Sequence, residues 1–183
     1  MLTARGAKRD KTSRFKLSRR LEILDDGKPI GLLECNLGGT EADFRVNDTE
    51  YTIATVEAAQ HEPLVELLRQ NAGKRPKFTG KPLVLKHADG HIVALAALVK
   101  ASFIVARQGE TFELRKASLF NPSYRVHRTG NDQPLGSVGQ KSLFSRMLHM
   151  ELPAEFDAAF CAYLLVLALN LAMQRAASSN NYN

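Results

Sequence analysis

The sequence has 183 residues, of which 44% are hydrophobic and 24% are charged, ordinary values for a globular protein in which one domain is the natural count. Its two cysteines, Cys35 and Cys161, exclude a disulfide framework and a cysteine-based metal site, and we expect a reducing cytoplasm. No apolar segment follows the basic start, so no secretory signal peptide is predicted.

The formal net charge of +6 is concentrated at the beginning of the chain. The first 20 residues contain eight basic residues and one acidic residue, Asp10, so they carry +7 and the rest of the chain about −1. We therefore predict a basic N-terminal arm over residues 1–13. Such an arm attracts the phosphates of lipids or nucleic acids. A solvated terminus that binds nothing and a targeting peptide are the alternatives.

From residue 14 onward the pattern predicts short strands. Phe15 and Leu17 alternate with polar residues, as in a half-buried strand. Turn sequences then recur at short intervals, each between two apolar runs. They are Asp25-Asp26-Gly27, Asn47-Asp48, Ala88-Asp89-Gly90, Gln108-Gly109, Asn121-Pro122 and Thr129-Gly130-Asn131-Asp132. About eleven to thirteen strands result, which favours a sandwich or a barrel.

One helical segment interrupts the strands. Residues 63–72 begin with proline, carry Leu64, Leu67 and Leu68 at helical spacing and end before a glycine. We predict a short amphipathic helix that lies across one end of the sheet. A second basic cluster follows it: Lys74, Arg75 and Lys77.

The most apolar stretch comes last. Residues 158–173 contain no charge, glycine or proline, so a helix here is buried in protein or spans lipid. It is shorter than the about 20 apolar residues that a bilayer span requires. We predict a core helix over 153–177 that begins with Pro153, hydrogen bonds from Tyr163 and Asn170 to the surrounding walls, and a polar tail over 178–183. A closed antiparallel barrel would give this helix a dry lining and remove the sheet edges.

Three hairpins resemble one another: ILDDGKPIGLL from Ile23, LKHADGHIVAL from Leu85 and VHRTGNDQPLGSV from Val126. The second strand of the last hairpin lies in the segment PLGSVGQ (134–140), and MLHMELP (147–153) leads into the apolar helix. With these features the chain over 14–177 resembles the tubby-like superfamily, which includes the tubby C-terminal domain, the phospholipid scramblases and the LURF-one-related proteins. The resemblance implies a closed barrel of about twelve antiparallel strands threaded by the terminal helix.

The sequence departs from scramblases just before the terminal helix. Those proteins are associated with an acidic calcium-binding stretch there, whereas residues 141–147, KSLFSRM, are basic. Calcium needs several oxygen ligands, so no calcium site is expected, and no other metal or cofactor is predicted. Tubby-type domains are linked to phosphoinositides through basic residues, for which this chain offers no residue-by-residue match.

The candidate catalytic and metal-binding residues have simpler interpretations. His87, Asp89 and His91 flank one turn, an arrangement that suits a metal ion, but solvated turn residues are the more economical interpretation. Ser137 lies in a strand-like segment rather than in a nucleophile elbow. No convergent acid–base pair is present, so the sequence favours a binding module over an enzyme.

We therefore expect an intracellular, non-enzymatic module that binds anionic phospholipid headgroups peripherally at a membrane surface. The alternatives are a protein-interaction or regulatory module of unknown partner and a nucleic-acid binder, which would have only Phe15 and Phe78 for base stacking. A small-ligand carrier is disfavoured if the helix fills the barrel. The predicted headgroup-binding residues are the basic residues near the chain start and those of the second cluster: Arg5, Lys8, Arg9, Lys11, Arg14, Lys16, Arg19, Arg20, Lys74, Arg75 and Lys77.

Overall fold

The structure, a computed structural model, describes residues 1–7, 18–36, 38–57, 66, 68, 78–117, 123–140 and 147–180. These ranges contain twelve strands and one long helix. The strands are β1 (Leu2–Gly6), β2 (Ser18–Asp25), β3 (Lys28–Asn36), β4 (Ala42–Val46), β5 (Thr49–Thr55), β6 (Leu83–His87), β7 (Ile92–Val99), β8 (Ser102–Arg107), β9 (Glu110–Lys116), β10 (Ser123–Arg128), β11 (Pro134–Gln140) and β12 (Leu148–Glu151). The helix is α1 (Ala158–Asn180).

All twelve strands form one closed antiparallel barrel, which confirms the predicted fold class. Each strand pairs with its neighbours in sequence, and β1 pairs with β12 to complete the circle. Leu2 lies opposite Met150 on β12 and opposite Asp25 on β2. Closure leaves no strand edge exposed for pairing with another chain.

The first residues of the chain are part of the barrel, which corrects the predicted arm over residues 1–13. Ala4 on β1 is fully buried against the core. The Arg5 guanidinium lies 2.7 Å from the Glu22 carboxylate on β2. The high proportion of basic residues led us to interpret this segment as an arm. Its residues instead alternate as in a strand, with one face packed inward and the other carrying charge. Residues 8–17 lie outside the described residues, and so do the predicted strand residues Phe15 and Leu17.

The apolar helix α1 fills the barrel, as predicted. Its side chains from Ala159 to Leu171 are buried on all sides, and inward-facing residues of the strands surround them. The segment Ala158–Ala177 is long and apolar enough to cross a membrane, but most of it is buried inside the protein. The apolar character of this helix is therefore explained by its place in the core.

Asp157, rather than Pro153, determines where α1 begins. Residues 153–156 form a turn, in which the Phe156 N–H donates to the Pro153 carbonyl. The Phe160 N–H donates to the Asp157 carboxylate at 2.8 Å, the bond that an N-capping aspartate makes to an otherwise unpaired helical N–H. Arg107, with a side chain only 9% exposed, forms an ion pair with Asp157, and its guanidinium lies 4.4 Å from the centre of the Phe160 ring. The helix also continues through Asn180, into the segment predicted as a tail.

Two polar side chains of α1 bind the wall, as predicted. The fully buried Tyr163 hydroxyl donates to the Leu83 carbonyl at 2.6 Å. Asn170 donates to the Gly38 carbonyl, also at 2.6 Å. A Cβ on Gly39, whose φ is +63°, would lie 3.1 Å from the Asn170 backbone. The Gly38-Gly39 pair thus lets the chain turn closely over the helix.

A second apolar cluster covers the outer wall of the barrel at β6–β8. Val84, Leu95 and Ile104 face outward here and are buried, so these strands are apolar on both faces. Leu68 is fully buried in the same cluster, and Glu66 and Leu68 are helical. Leu68 therefore packs on the side of the barrel, and not across its end as predicted. The remaining residues of the predicted helix lie outside the described residues.

The similarity of the three hairpins corresponds to a structural repetition. The hairpins β2–β3, β6–β7 and β10–β11 recur every four strands, and each has a register shift just before its turn. A Cβ on Gly31 would lie 2.3 Å from the Arg45 carbonyl oxygen, and one on Gly136 would lie 2.1 Å from that of Glu151. Glycine is thus required at the same place in the first and third hairpins, because the neighbouring backbone leaves no room for a side chain.

Because α1 is buried inside the barrel, we expect a charged residue at its centre to destabilise the fold. Leu167 is fully buried, so Leu167→Asp places an unpaired carboxylate in the core. We expect insoluble or unfolded protein, with a loss of more than about 4 kcal/mol in the free energy of unfolding. Leu167→Met, which conserves volume, should cost less than about 1.5 kcal/mol. Chemical denaturation followed by circular dichroism compares the variants, and wild-type stability of Leu167→Asp would contradict the fold.

The start of α1 offers a second test. Asp157→Asn keeps a capping oxygen but removes the charge beside Arg107, whereas Asp157→Ala removes both. We expect Asp157→Ala to be the less stable variant by about 1 kcal/mol, the usual value of an N-cap. Glu155→Ala is the control, since Glu155 is exposed and its loss should change stability by less than about 0.5 kcal/mol. Equal stability of all three variants in thermal unfolding would argue against Asp157 as the cap.

Candidate functional site

The barrel has two different ends, because antiparallel strands place successive connections at alternate ends. We call one the turn end; it carries the turns that follow β2, β4, β6, β8 and β10, and α1 begins there. We call the other the loop end; it carries the connections that follow β1, β3, β5, β7, β9 and β11, and α1 ends there. The filled interior leaves these ends and the outer wall as the surfaces for binding.

Acidic residues collect at the turn end. Five aspartates lie in its turns: Asp25, Asp26, Asp48, Asp89 and Asp132. Two arginines at this end are paired with acids, Arg107 with Asp157 and Arg128 with Glu110 at 2.8 Å. Asp25 and Asp26 contact the N-terminal ammonium of Met1, and Asp132 contacts Arg115. These contacts compensate part of the negative charge, and the remaining acidic residues disfavour an anionic partner at this end.

The sequences of three loop-end connections are rich in basic residues. Positions 8–17, 58–77 and 141–146 join strands there and contain eleven lysines and arginines but three acidic residues. Almost all of these positions lie outside the described residues, but the described residues that flank them are at the loop end. The net charge of these three sequence segments is +8. Among the described residues, three basic side chains meet at the loop end: Arg19, Lys116 and Arg175.

A pocket of about 390 Å³ opens at the loop end, between α1 and the barrel wall. Its size falls within the range of about 300–1,000 Å³ that small-molecule sites occupy. Leu165 and Leu169 of α1, Leu148 of β12 and the ring of Tyr124 form its apolar lining. The rest of the lining consists of small, polar and basic residues. They are Ala168 and Ala172 of α1, Gly139 and Gln140 of β11, and the basic residues Arg19, Lys116 and Arg175.

The three basic residues come from separate elements that meet at the pocket. Arg19 begins β2 and has the same orientation as the inward-facing Leu21, so its exposed side chain reaches the mouth. Its guanidinium lies 3.7 Å from the Met173 sulfur. Arg175, in the last part of α1, lies 5.9 Å from the centre of the Tyr124 ring. Burial raises the pKa of Tyr124, against the opposing effect of Arg175, so this side chain stays a neutral phenol.

The structure separates the predicted headgroup-binding residues. Arg19 lines the pocket, whereas Arg5 is paired with Glu22 and Arg20 faces away from the pocket on β2. The other eight lie outside the described residues: Lys8, Arg9, Lys11, Arg14, Lys16, Lys74, Arg75 and Lys77.

Sequence reasoning missed Lys116 and Arg175 as binding residues. Lys116 is the last residue of the charged strand β9, directly after Arg115, and Arg175 lies in the last part of α1, where positive charge is common in helices. They join Arg19 only because the barrel closes around α1. The sequence shows a basic residue near the loop-end terminus of each of these elements. Recognising that these residues meet would have required knowing in which direction each strand runs.

A second pocket, of about 610 Å³, opens at the turn end. Its lining includes Asp25, Glu151, Phe156 and Cys161. The carboxylates disfavour an anion here. Burial raises the pKa of the Cys161 thiol to about 12, so this side chain is a neutral thiol at physiological pH and a poor nucleophile.

The histidines around the β6–β7 turn have local partners. The Asp89 carboxylate accepts the His91 N–H at 2.8 Å and lies 3.1 Å from His87 Nδ1. These interactions lower the pKa of Asp89, and the hydrogen bond from the His91 N–H has the largest effect. Within the described ranges, no group of three histidine, cysteine, aspartate or glutamate residues is arranged to hold a metal ion.

Comparisons with protein-family models, with curated proteins and with solved structures find no match to this chain. The resemblance to the tubby-like superfamily thus remains an expectation from the sequence.

The buried thiols generate a prediction on pH and reactivity. Burial raises the pKa of both Cys35 and Cys161. In the unfolded chain, thiols ionise at their ordinary pKa, so stability should fall as the pH rises above that value toward about 12, because the unfolded state then releases more protons. We expect neither thiol to react with a disulfide reagent in folded protein at mildly alkaline pH, and both to react in guanidinium chloride. Fast labelling of Cys161 without denaturant would contradict its burial.

Proposed function

We propose that this protein binds anionic phospholipid headgroups peripherally at a membrane surface, with its loop end toward the membrane. The observation that supports this is the loop-end pocket, where the basic residues Arg19, Lys116 and Arg175 come together, whereas aspartates occupy the turns at the opposite end. An acidic surface attracts the loop end and repels the turn end, so the molecule is oriented before it makes contact.

The strength of such binding follows from the number of basic residues near the surface. Each lysine or arginine close to an acidic membrane contributes about 1 kcal/mol. The field falls off over a Debye length of about 8 Å at physiological salt. Several basic residues at one end therefore act together, whereas isolated ones such as Arg45 on the side wall contribute little.

An apolar side chain beside the pocket adds a contact to the proposed membrane face, whereas the more exposed Met1 lies at the turn end. Met147 immediately precedes the pocket residue Leu148 at the loop end and is one of two exposed large hydrophobic side chains in the described ranges. A flexible thioether side chain enters the headgroup region of a membrane at little cost. The proposal therefore combines electrostatic attraction with a small apolar contact.

The test is co-sedimentation with vesicles of phosphatidylcholine, with and without phosphatidylserine or a phosphoinositide, at low and high salt. Deletion of residues 1–20 is unsuitable because it would remove β1 from the barrel. We instead compare Arg19→Gln/Arg175→Gln with Arg45→Gln, an exposed arginine on the outer face of β4. The double variant should bind acidic vesicles about tenfold more weakly or worse, and the control should bind like the wild type.

The outcomes separate the proposal from its rivals. Salt-sensitive binding to acidic vesicles that is unchanged in Arg19→Gln/Arg175→Gln contradicts the assignment of the headgroup site to the loop-end pocket. No binding to acidic vesicles at low salt contradicts the proposal. Retention on DNA without retention on vesicles would also contradict it and would favour a nucleic-acid binder.

A further inference from the structure

We propose that the loop-end pocket binds one single-chain anionic amphiphile, with its acid group between Arg19 and Arg175 and its hydrocarbon chain against α1. The inference deepens the proposed function, since both use the loop end, but it requires no membrane. It names a ligand class, fatty carboxylates and lysophosphatidates, for the open pocket at the loop end.

The pocket exists because small residues face each other across the gap between helix and wall. On α1, Ala168 and Ala172 are one turn apart, and Gly139 lies on the facing part of β11. Larger side chains at these places would close the gap, as they do elsewhere along the tightly packed helix. The space therefore remains open at one end of an otherwise filled barrel.

The walls suit a hydrocarbon chain. Leu165, Ala168, Leu169 and Ala172 follow the i, i+3, i+4, i+7 spacing of one helical face, and all four line the pocket. Leu148 closes the opposite side. Leu165, Ala168 and Leu169 are already at most 9% exposed, so the apolar surface that a chain would cover is mainly that of Ala172 and Leu148 at the pocket mouth. Each CH₂ group that it buries contributes about 0.8 kcal/mol.

The mouth suits an acid group. Arg175 continues the same helical face, three residues beyond Ala172, and Arg19 reaches the mouth from β2. Both are exposed or half-buried, so each can reorient toward a carboxylate or phosphate and bind it in bidentate fashion. The Tyr124 hydroxyl, kept protonated by burial, is a further donor in the lining. A neutral head group would leave these cations uncompensated, and a free phosphate would leave the apolar walls empty.

Ala172→Trp is the decisive variant. Ala172 is exposed and lines the pocket, so a tryptophan there fills the cavity without entering the core. Ala177→Trp is the matched control, since Ala177 is an exposed residue of the same helix outside the pocket. Arg19→Gln/Arg175→Gln removes the acid-binding groups, and Arg45→Gln is its control. Unchanged thermal unfolding establishes that each variant is folded.

The probe is a fluorescent dansyl-labelled fatty acid, displaced by oleate, by oleoyl lysophosphatidate, by neutral mono-oleoylglycerol or by inorganic phosphate. We expect saturable one-to-one binding, displaced by oleate and lysophosphatidate but not by mono-oleoylglycerol or phosphate. Ala172→Trp and the double arginine variant should each weaken it by about tenfold or more, equivalent to about 1.4 kcal/mol. The two controls should bind like the wild type.

Several results would overturn the inference: no saturable binding, equal binding by Ala172→Trp, or displacement by phosphate alone. Measuring vesicle binding by Ala172→Trp separates failure of the amphiphile proposal from failure of the proposed membrane binding. Loss of the fatty-acid site with retained vesicle binding supports the pocket as a separate ligand site. If the wild type binds vesicles but does not bind the probe, the membrane proposal is retained and the proposal of an amphiphile site is refuted.

Discussion

The structure depends on one constraint, the need to keep a helix without a polar face out of water. The residues of α1 from Ala159 to Leu171 are buried on every side, and each fully buried leucine stabilises the fold by about 1.5–3 kcal/mol relative to exposure. One sheet face could cover half of such a helix, whereas a closed barrel covers all of it. The twelve strands thus give the helix its lining, and the helix gives the barrel its core.

Filling the interior confines possible functions to the surface and the ends. The buried polar groups of α1 are committed to the wall, Tyr163 to Leu83 and Asn170 to Gly38. Arg107 and Asp157 hold the helix at the turn end. At the loop end, alanines and a glycine leave a gap, and three basic residues surround it. The same helix therefore builds the core and one wall of the candidate site.

The parts of the fold that depend on local pattern were predictable. Apolar alternation and turn pairs such as Asn47-Asp48, both of which adopt positive φ, indicate the strands, and uninterrupted apolar residues indicate the core helix. The start of α1 was wrong because Pro153 suits a first helical position, and the competing Asp157 cap gains its partner Arg107 only in the folded barrel.

Non-local pairing limited the rest of the prediction. β1 was missed because its place depends on β12, at the other end of the chain. Arg19 was predicted as a binding residue for its charge alone. Its neighbours in the pocket, Lys116 and Arg175, come from strands and a helix whose meeting depends on barrel closure.

If the loop end faces an anionic membrane, as proposed, tryptophans placed at the two ends of the barrel will differ in their access to lipid. The sequence contains no tryptophan, so this difference can be measured directly. Single tryptophans replace Met147 at the loop end and Ala88 in the β6–β7 turn, both exposed positions. Their fluorescence is recorded on acidic vesicles that contain brominated lipids, which quench only nearby tryptophans. We expect strong quenching of Met147→Trp and little quenching of Ala88→Trp. The reverse pattern, or equal quenching at both ends, would contradict the proposed orientation.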